Sequence, residues 1–357
     1  MTLPLLSPPL ALRAANLGDP DEVRRIESFV RAHPQATPFH LPSWNRAVAR
    51  GCGQYAHCLI AERANGGLAG VLPLTEIRSP LFGAGLVSVG FAVDGGILAE
   101  VPAAVPLLAN GAWRLAESLA CASVELRGGA LPEKGHEDWH VEAGSHLGFV
   151  RPLAADDEAE LAAIPRKHRA EVRKGLAGDL EVTIGGESEL GRHYAVYAEM
   201  VRNLGTPVFP ARLFREVLCA LDADIVTITH RGIAVASVLS LYFNDTVYPF
   251  WGGGTAAARG LRANERLYFE LMRHARARGC ARFDFGRSKT GSGPAAYKKN
   301  WGFEGVPLRY AKRHAPGQAP RDVNPLSPRY QARIAAWKKL PLWLTRLIGP
   351  PIARGLG

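Results

Sequence analysis

No run in this sequence approaches the roughly 18 consecutive apolar residues that mark a membrane-spanning helix. The opening MTLPLLSPPLALR has no basic residue ahead of its apolar stretch and is broken by prolines. That is a poor secretory leader, so a cytoplasmic location is expected. Cysteine is scarce: Cys52, Cys58, Cys121, Cys219 and Cys280 show no C-x-x-C or zinc-like spacing. They are expected to be reduced thiols of a cytosolic protein. G-x-S-x-G and H-E-x-x-H are absent, and the 11 histidines are dispersed, so neither a covalent nor a metal-dependent mechanism is expected. The 38 glycines and 26 prolines show no period, which excludes a collagen-like chain.

What is present suits a folded globular protein. The chain has 357 residues, 47% of them hydrophobic and 8% aromatic, enough for two domains with separate cores. Its net charge of +10 is unevenly spread. Residues 1–150 hold 11 basic and 14 acidic side chains, 151–307 hold 22 and 18, and 308–357 hold 10 and 1. The basic character is therefore mainly a tail, and a molecule-wide nucleic-acid footprint is not indicated.

The sequence repeats itself. Ala56–Ala61, an Asn-Gly-Gly turn and Leu68–Ile77 form a predicted hairpin, and Ile225–Thr229, a His-Arg-Gly turn and Ile233–Phe243 form another. AGVLPL at 69–74 precedes ASVLSL at 236–241 by 167 residues, and CASVEL at 121–126 precedes CARFDF at 280–285 by 159. Each second echo follows a predicted helix, Ala112–Ala120 or Glu265–Gly279, and each half carries a glycine turn, at 94–96 or 251–254. The expected fold is α/β, with two similar domains that are each a mixed sheet with flanking helices. The boundaries are placed at 1–150, 151–315 and a basic amphipathic tail at 316–357.

Three segments can carry chemistry. PRKHRAEVRKGL at 165–176 places Arg166, Arg169 and Arg173 on one helical face and Lys167 and Lys174 on the next stripe. This is either a ridge for anionic substrate groups or a solvated face. In WGGGTAAARGLRANERLY at 251–268, a strand ends in glycines and a helix begins near Asn264. Gly253, Gly254, Arg259, Arg262 and Asn264 could hold the phosphates of an acyl donor there, or the glycines serve only the turn. In FDFGRSKTGSGPAAYKKNWGF at 283–303, Asp284, Arg287, Ser288 and Lys289 leave a strand end, and a Gly/Ser/Pro loop leads to Tyr297, Lys298 and Trp301. Lys298 could meet a phosphate or a developing oxyanion, or the segment is an ordinary bulge loop. RNLGTPVF at 202–209 puts Arg202 either at a cleft or on a helix end capped by Gly205.

These segments resemble a known family. IPRKHRAEVRKGLAGDLEV at 164–182 is similar to the basic helix of the FemAB peptidyltransferases, and YKKNWG at 297–302 resembles their F-K-x-x-F-G motif. The resemblance spans most of residues 35–315. RNLGTPVF with DFGRSKTGSG is most similar to FemAB-like proteins of exosortase/PEP-CTERM loci. It implies two tandem GNAT-like (acyl-CoA N-acyltransferase-like) domains. It also implies transfer of an acyl or aminoacyl group to an amine of a peptidoglycan, cell-envelope or exopolysaccharide precursor. The donor would be aminoacyl-tRNA or acyl-CoA, a co-substrate rather than a tightly bound cofactor. Lys298 falls on the motif lysine, and Tyr297 and Trp301 replace its two phenylalanines. Gly90 and Asp94 stand where a proline and an aromatic are expected, and the coiled-coil insertion of some tRNA-using members is absent.

The mechanism then expected is direct attack of the acceptor amine on the donor carbonyl, without an acyl-enzyme. Lys298 and Asp284 are the expected catalytic residues. Arg166, Lys167, Arg169, Arg173, Arg202, Arg287, Ser288, Lys289, Tyr297 and Trp301 are expected at the nucleotide- or lipid-linked substrate. A CoA-dependent acyltransferase and a non-catalytic scaffold of exopolysaccharide machinery are the alternatives. The tail places Tyr330, Ile334 and Trp337 on one face, followed by the apolar run Leu340–Ile348. It either docks on the protein or lies at the inner face of the cytoplasmic membrane.

Overall fold

The computed structural model describes residues 9–132, 138–317 and 328–357. Two compact units divide the chain. The first comprises residues up to Glu142, together with Arg309–Asp322 and Gly355–Gly357; the second comprises Ala143–Leu308 and Val323–Arg354. Residues 318–327 of the expected tail lie outside the described residues, as does the side chain of Tyr330.

The first unit runs β1 (Ala11–Ala14), α1 (Pro20–Ala32), α2 (Pro42–Cys52), β2 (Tyr55–Glu62), β3 (Leu68–Ser79), β4 (Gly83–Ser88), β5 (Leu98–Ala99), α3 (Ala104–Ser118) and β6 (Ser123–Arg127). The second contains β7 (His140–Pro152), α4 (Asp157–Ala163), α5 (Arg166–Ala177), β8 (Glu181–Gly185), α6 (Leu190–Leu204), α7 (Ala211–Ala220), β9 (Ala223–His230), β10 (Ile233–Phe243) and β11 (Thr246–Gly254). It continues with α8 (Ala258–Leu261), α9 (Ala263–Ala277), β12 (Arg282–Lys289), α10 (Gly293–Asn300), β13 (Gly305–His314), α11 (Pro328–Lys339) and α12 (Leu342–Ala353).

The repeat seen in the sequence is a repeat of topology. Strand order in the first unit is β1-β2-β3-β4-β6-β13, antiparallel except for the parallel pair β4/β6. Strand order in the second is β8-β9-β10-β11-β12-β7, antiparallel except for the parallel pair β11/β12. A helix crosses over between the parallel strands each time, α3 or α9, as parallel pairing requires. Both helices bury a stripe at four-residue spacing: Ala104, Leu108, Ala112 and Ala116 in α3, Ala263, Leu267, Leu271 and Ala275 in α9. These stripes are offset by the same 159 residues that separate CASVEL from CARFDF.

The last strand of each sheet comes from the other half of the sequence. From Ala143 onward β7 belongs to the second unit and pairs with β12, while Tyr310–His314 of β13 pair with β6 of the first. The boundary expected after residue 150 therefore falls after Glu142, and residues 309–314 leave the second domain. The tail is not one appendage either: α11 and α12 belong to the second unit and pack on α6, and Gly355–Gly357 belong to the first.

The second core puts Val226, Ile228, Val238 and Val247 of the sheet against Leu267, Leu271 and Ala275 of α9, with Trp301 and Phe303 closing one end. On the opposite face, α6 lays His193, Tyr197 and Val201 over β10 and β11. It stops at Gly205, whose φ of +85° lets the chain turn back so that Gly205 N–H donates to Arg202 O. The helix-end reading of RNLGTPVF is the one found.

Candidate active site in the second unit

Two parallel strands of the second unit part after a short ladder. β11 and β12 pair only at Thr246–Arg282 and Val247–Phe283, and no further ladder pair joins them among the described residues. Each strand carries a bulge just beyond that point. On β11 the register with β10 passes from Leu239–Trp251 to Ser240–Pro249, leaving Phe250 extra. On β12 the register with β7 passes from Asp284–Val150 to Arg287–Gly148, so Phe285 and Gly286 face Phe149 alone. A bulge bends its strand and re-aims the side chains after it. Gly286 supplies the left-handed conformation, φ +68°, that a bulge of this kind favours. Past Val247, no ladder pair joins β11 to β12 beside Asp284 among the described residues.

Asp284 and Lys298 feel each other's charge at the β12 bulge, with no ion pair between them among the described residues. The Asp284 carboxylate accepts the Gly286 N–H at 2.8 Å. Burial pushes its pKa up to about 6, against the opposing pull of that hydrogen bond and of the Lys298 ammonium. Lys298 Nζ donates to the Arg287 carbonyl at 2.9 Å and lies 5.3 Å from the ring of Phe149 and 5.4 Å from that of Phe285. Burial pulls its pKa down to about 8, with Asp284 opposing the fall and Arg287 adding to it. A carboxylate and an ammonium thus titrate on either side of neutrality in one place. Such shifts mark acid–base sites.

The lysine segment is ordered differently from the expected flexible loop. β12 runs through Arg287, Ser288 and Lys289. GSGP then opens helix α10, with Ser292 capping it by accepting the Ala295 N–H at 3.4 Å and a proline in its first turn. Ser288 Oγ is buried without a hydrogen-bond partner. Tyr297 and Trp301 project from α10 toward His168 of α5, with ring centroids at 5.6 and 4.9 Å. Trp301 is fully buried, so this aromatic frame is core packing beneath the site rather than a stacking surface in it.

The basic helix splits into two groups. Arg166, Lys167 and Arg173 are exposed and make no hydrogen bond or ion pair among the described residues. Arg169 turns back on its own chain, donating to the carbonyls of Ile164 and Ala162 at 2.7–3.0 Å. The expected single ridge of three arginines is therefore two exposed arginines beside a structural one. Lys174 pairs with Glu171 at 2.7 Å, and Glu171 also pairs with Arg262. Arg262 is thereby committed to binding α5. Gly175 permits the crossing: a Cβ there would stand 2.8 Å from Arg262 O.

That crossing alters the expected phosphate site. α9 starts at Ala263, with Arg262 as its left-handed cap residue, but α5 lies across this start. Glu265 sits in the first turn, its pKa raised by burial. The strand glycines serve close packing, since a Cβ on Gly253 would strike Met200 and one on Gly254 would strike Ala258 and Asn264. Asn264 Oδ1 and Thr255 Oγ1 nearby are buried without partners. Arg259 remains exposed on α8. Arg202 is drawn elsewhere, donating to Lys338 O of α11 at 3.3 Å.

Residues 165–299 match the family model for the acetyltransferase (GNAT) domain. This segment is an acyltransferase domain. It contains β11, β12, the point where they part, Asp284 and Lys298. No curated protein sequence matches the chain. Among solved structures, FemX is 14% identical with a TM-score of 0.62, over 80% of this chain and 95% of that one. A tandem GNAT protein from the clavulanic acid biosynthesis pathway is 13% identical with a TM-score of 0.56, over 87% of this chain and all of that one. The C-terminal domain of a putative lysylphosphatidylglycerol synthetase from Agrobacterium fabrum is 12% identical with a TM-score of 0.54, over 83% and 92%. At these identities the likeness is one of fold, and the fold is two tandem GNAT-like domains.

The GNAT domain has parts that sequence reasoning passed over. The Phe250 bulge on β11 has no local signal, since it is defined by the partner strand. His168 and Glu265 lay inside motifs chosen for their arginines. Val150 stands opposite Asp284 on β7 and is 50% exposed, an apolar shoulder beside the carboxylate. Its signal, one apolar residue beside the buried Phe149 in a strand, is too weak to find alone.

Proposed function

We propose that this chain is a FemAB-like N-acyl or aminoacyl transferase whose second unit joins the acyl group to a primary amine. The observation that carries the reading is the parting of β11 and β12 beside the Asp284–Lys298 pair. An extended acyl donor fits along the unladdered edge of β11, with its carbonyl oxygen facing backbone N–H groups. Asp284 takes a proton from the acceptor ammonium, and the freed amine attacks the carbonyl carbon. The new C–N bond forms as the donor's C–S or C–O bond breaks, and the leaving group departs as thiol or ribose hydroxyl with the second proton that the attacking nitrogen gives up as the amide forms. Lys298 acts through Asp284, keeping the carboxylate ionised and pinning the bulge, and so is a positioning residue.

The acceptor in this reading is an anionic nucleotide- or lipid-linked precursor of the cell envelope or an exopolysaccharide, as in the exosortase-linked branch of the family. Exposed Arg166, Lys167, Arg173 and Arg259 are the cations available for its phosphates. Acyl-CoA is the donor that the GNAT fold typically uses. Aminoacyl-tRNA is the second reading, supported by the FemX-like fold. Calorimetric titration with acetyl-CoA and with a charged tRNA separates them: saturable binding of one donor identifies it, and failure of both with the protein folded removes the transferase reading.

A further inference from the structure

Helix α12 packs with its small residues inward and leaves Trp343 and Leu347 outward, while Leu342, Leu344, Ile348 and Ile352 are half-buried. Thr345, Gly349 and Ala353, at four-residue spacing, are its buried stripe. A Cβ on Gly349 would stand 3.0 Å from Val208 N, so the helix seats closely on the chain that follows α6. Trp343 and Leu347, one turn apart, are each 67% exposed, and Leu204 at the end of α6 is 60% exposed. A helix buried only for the protein's own core turns its large apolar side chains inward. Arg346 turns back over the Tyr194 ring of α6, 5.4 Å from its centroid, whereas Lys338 and Lys339 are exposed at the end of α11. Residues 328–357 contain six basic and no acidic residues.

We propose that this face of α11 and α12 docks the protein on an anionic lipid surface. Tryptophan and leucine enter the boundary between headgroups and acyl chains, while the flanking cations meet lipid phosphates. No helix among the described residues is long and apolar enough to cross a membrane, so the contact is peripheral. A second copy of the same face is disfavoured, because it would bring two sets of uncompensated cations together.

Co-sedimentation with vesicles tests the proposal. The protein is expected to pellet with vesicles containing phosphatidylglycerol, stay in solution with phosphatidylcholine alone, and be released by salt. Trp343→Ser with Leu347→Ser is expected to weaken binding at least ~10-fold, and Lys338→Glu with Lys339→Glu ~20-fold or more, at roughly five-fold per charge. Unchanged circular dichroism would show that these exposed substitutions leave the fold intact. A wild type that stays in solution with anionic vesicles overturns the proposal, as does an apolar double variant that binds as tightly as wild type. If that variant instead turns a dimer into a monomer, the face is a self-association surface. Turnover of a water-soluble acceptor by these variants is expected to match wild type, so this test stands apart from that of the transferase.

Discussion

At the scale of single residues, the account rests on a carboxylate that must lose its proton and an ammonium that must keep one. With Asp284 near pKa 6, catalytic efficiency is expected to rise through about pH 6 as the base ionises. With Lys298 near 8, it is expected to fall through about pH 8 as the ammonium is lost. The two groups titrate as a pair, so the limbs of the profile belong to the pair. Lys298→Met removes a charge that lowers the Asp284 pKa. The acid limb of that variant should therefore move above pH 6 and the alkaline limb should vanish, a signature that mere structural damage does not produce. Asp284 and Lys298 were legible in the sequence because each is the lone carboxylate or motif lysine of its segment. The partners of Arg169, Arg262 and Arg202 were not. Their carbonyl and carboxylate acceptors are set by how α5, α9 and α11 cross, and helical periodicity carries no such information.

At the scale of elements, the site is made by two bulges and one close helix crossing. Gly286→Ala meets no atom within 4 Å, so its cost is only the left-handed backbone, about 1 kcal/mol by denaturant unfolding. Its effect on turnover should be larger, ~10-fold or more, because the bulge aims Asp284 and supplies the Lys298 acceptor carbonyl. Equal modest losses in both measurements would deny the bulge that role. Gly175→Leu would instead force α5 off the start of α9. A loss of about 1–3 kcal/mol is expected, read as a lowered Tm, because the blocking atoms are backbone. The strands and helices themselves were largely legible. β3 and β10 contain the first echo and β6 and β12 the last four residues of the second, since apolar runs and alternations announce strands. The bulges were not, because a bulge exists only relative to a partner strand.

At the scale of the whole chain, the repeat was legible while the division between its halves was not. The exchange places Ala143–Val150 of β7 in the second unit and Arg309–His314 of β13 in the first, and strand propensity cannot say which sheet a strand joins. The +9 of residues 308–357 falls mainly on α11 and α12 of the second unit. The proposed chemistry lies within the segment that matches the GNAT domain, residues 165–299. The measurement that tests this most directly is amine-dependent consumption of an acyl donor by wild type and Asp284→Asn, assayed side by side at pH 7. The account predicts turnover in the wild type and a loss of roughly 10²–10⁴-fold in the variant, with folding unchanged. A folded Asp284→Asn protein that transfers the acyl group at the wild-type rate would contradict it.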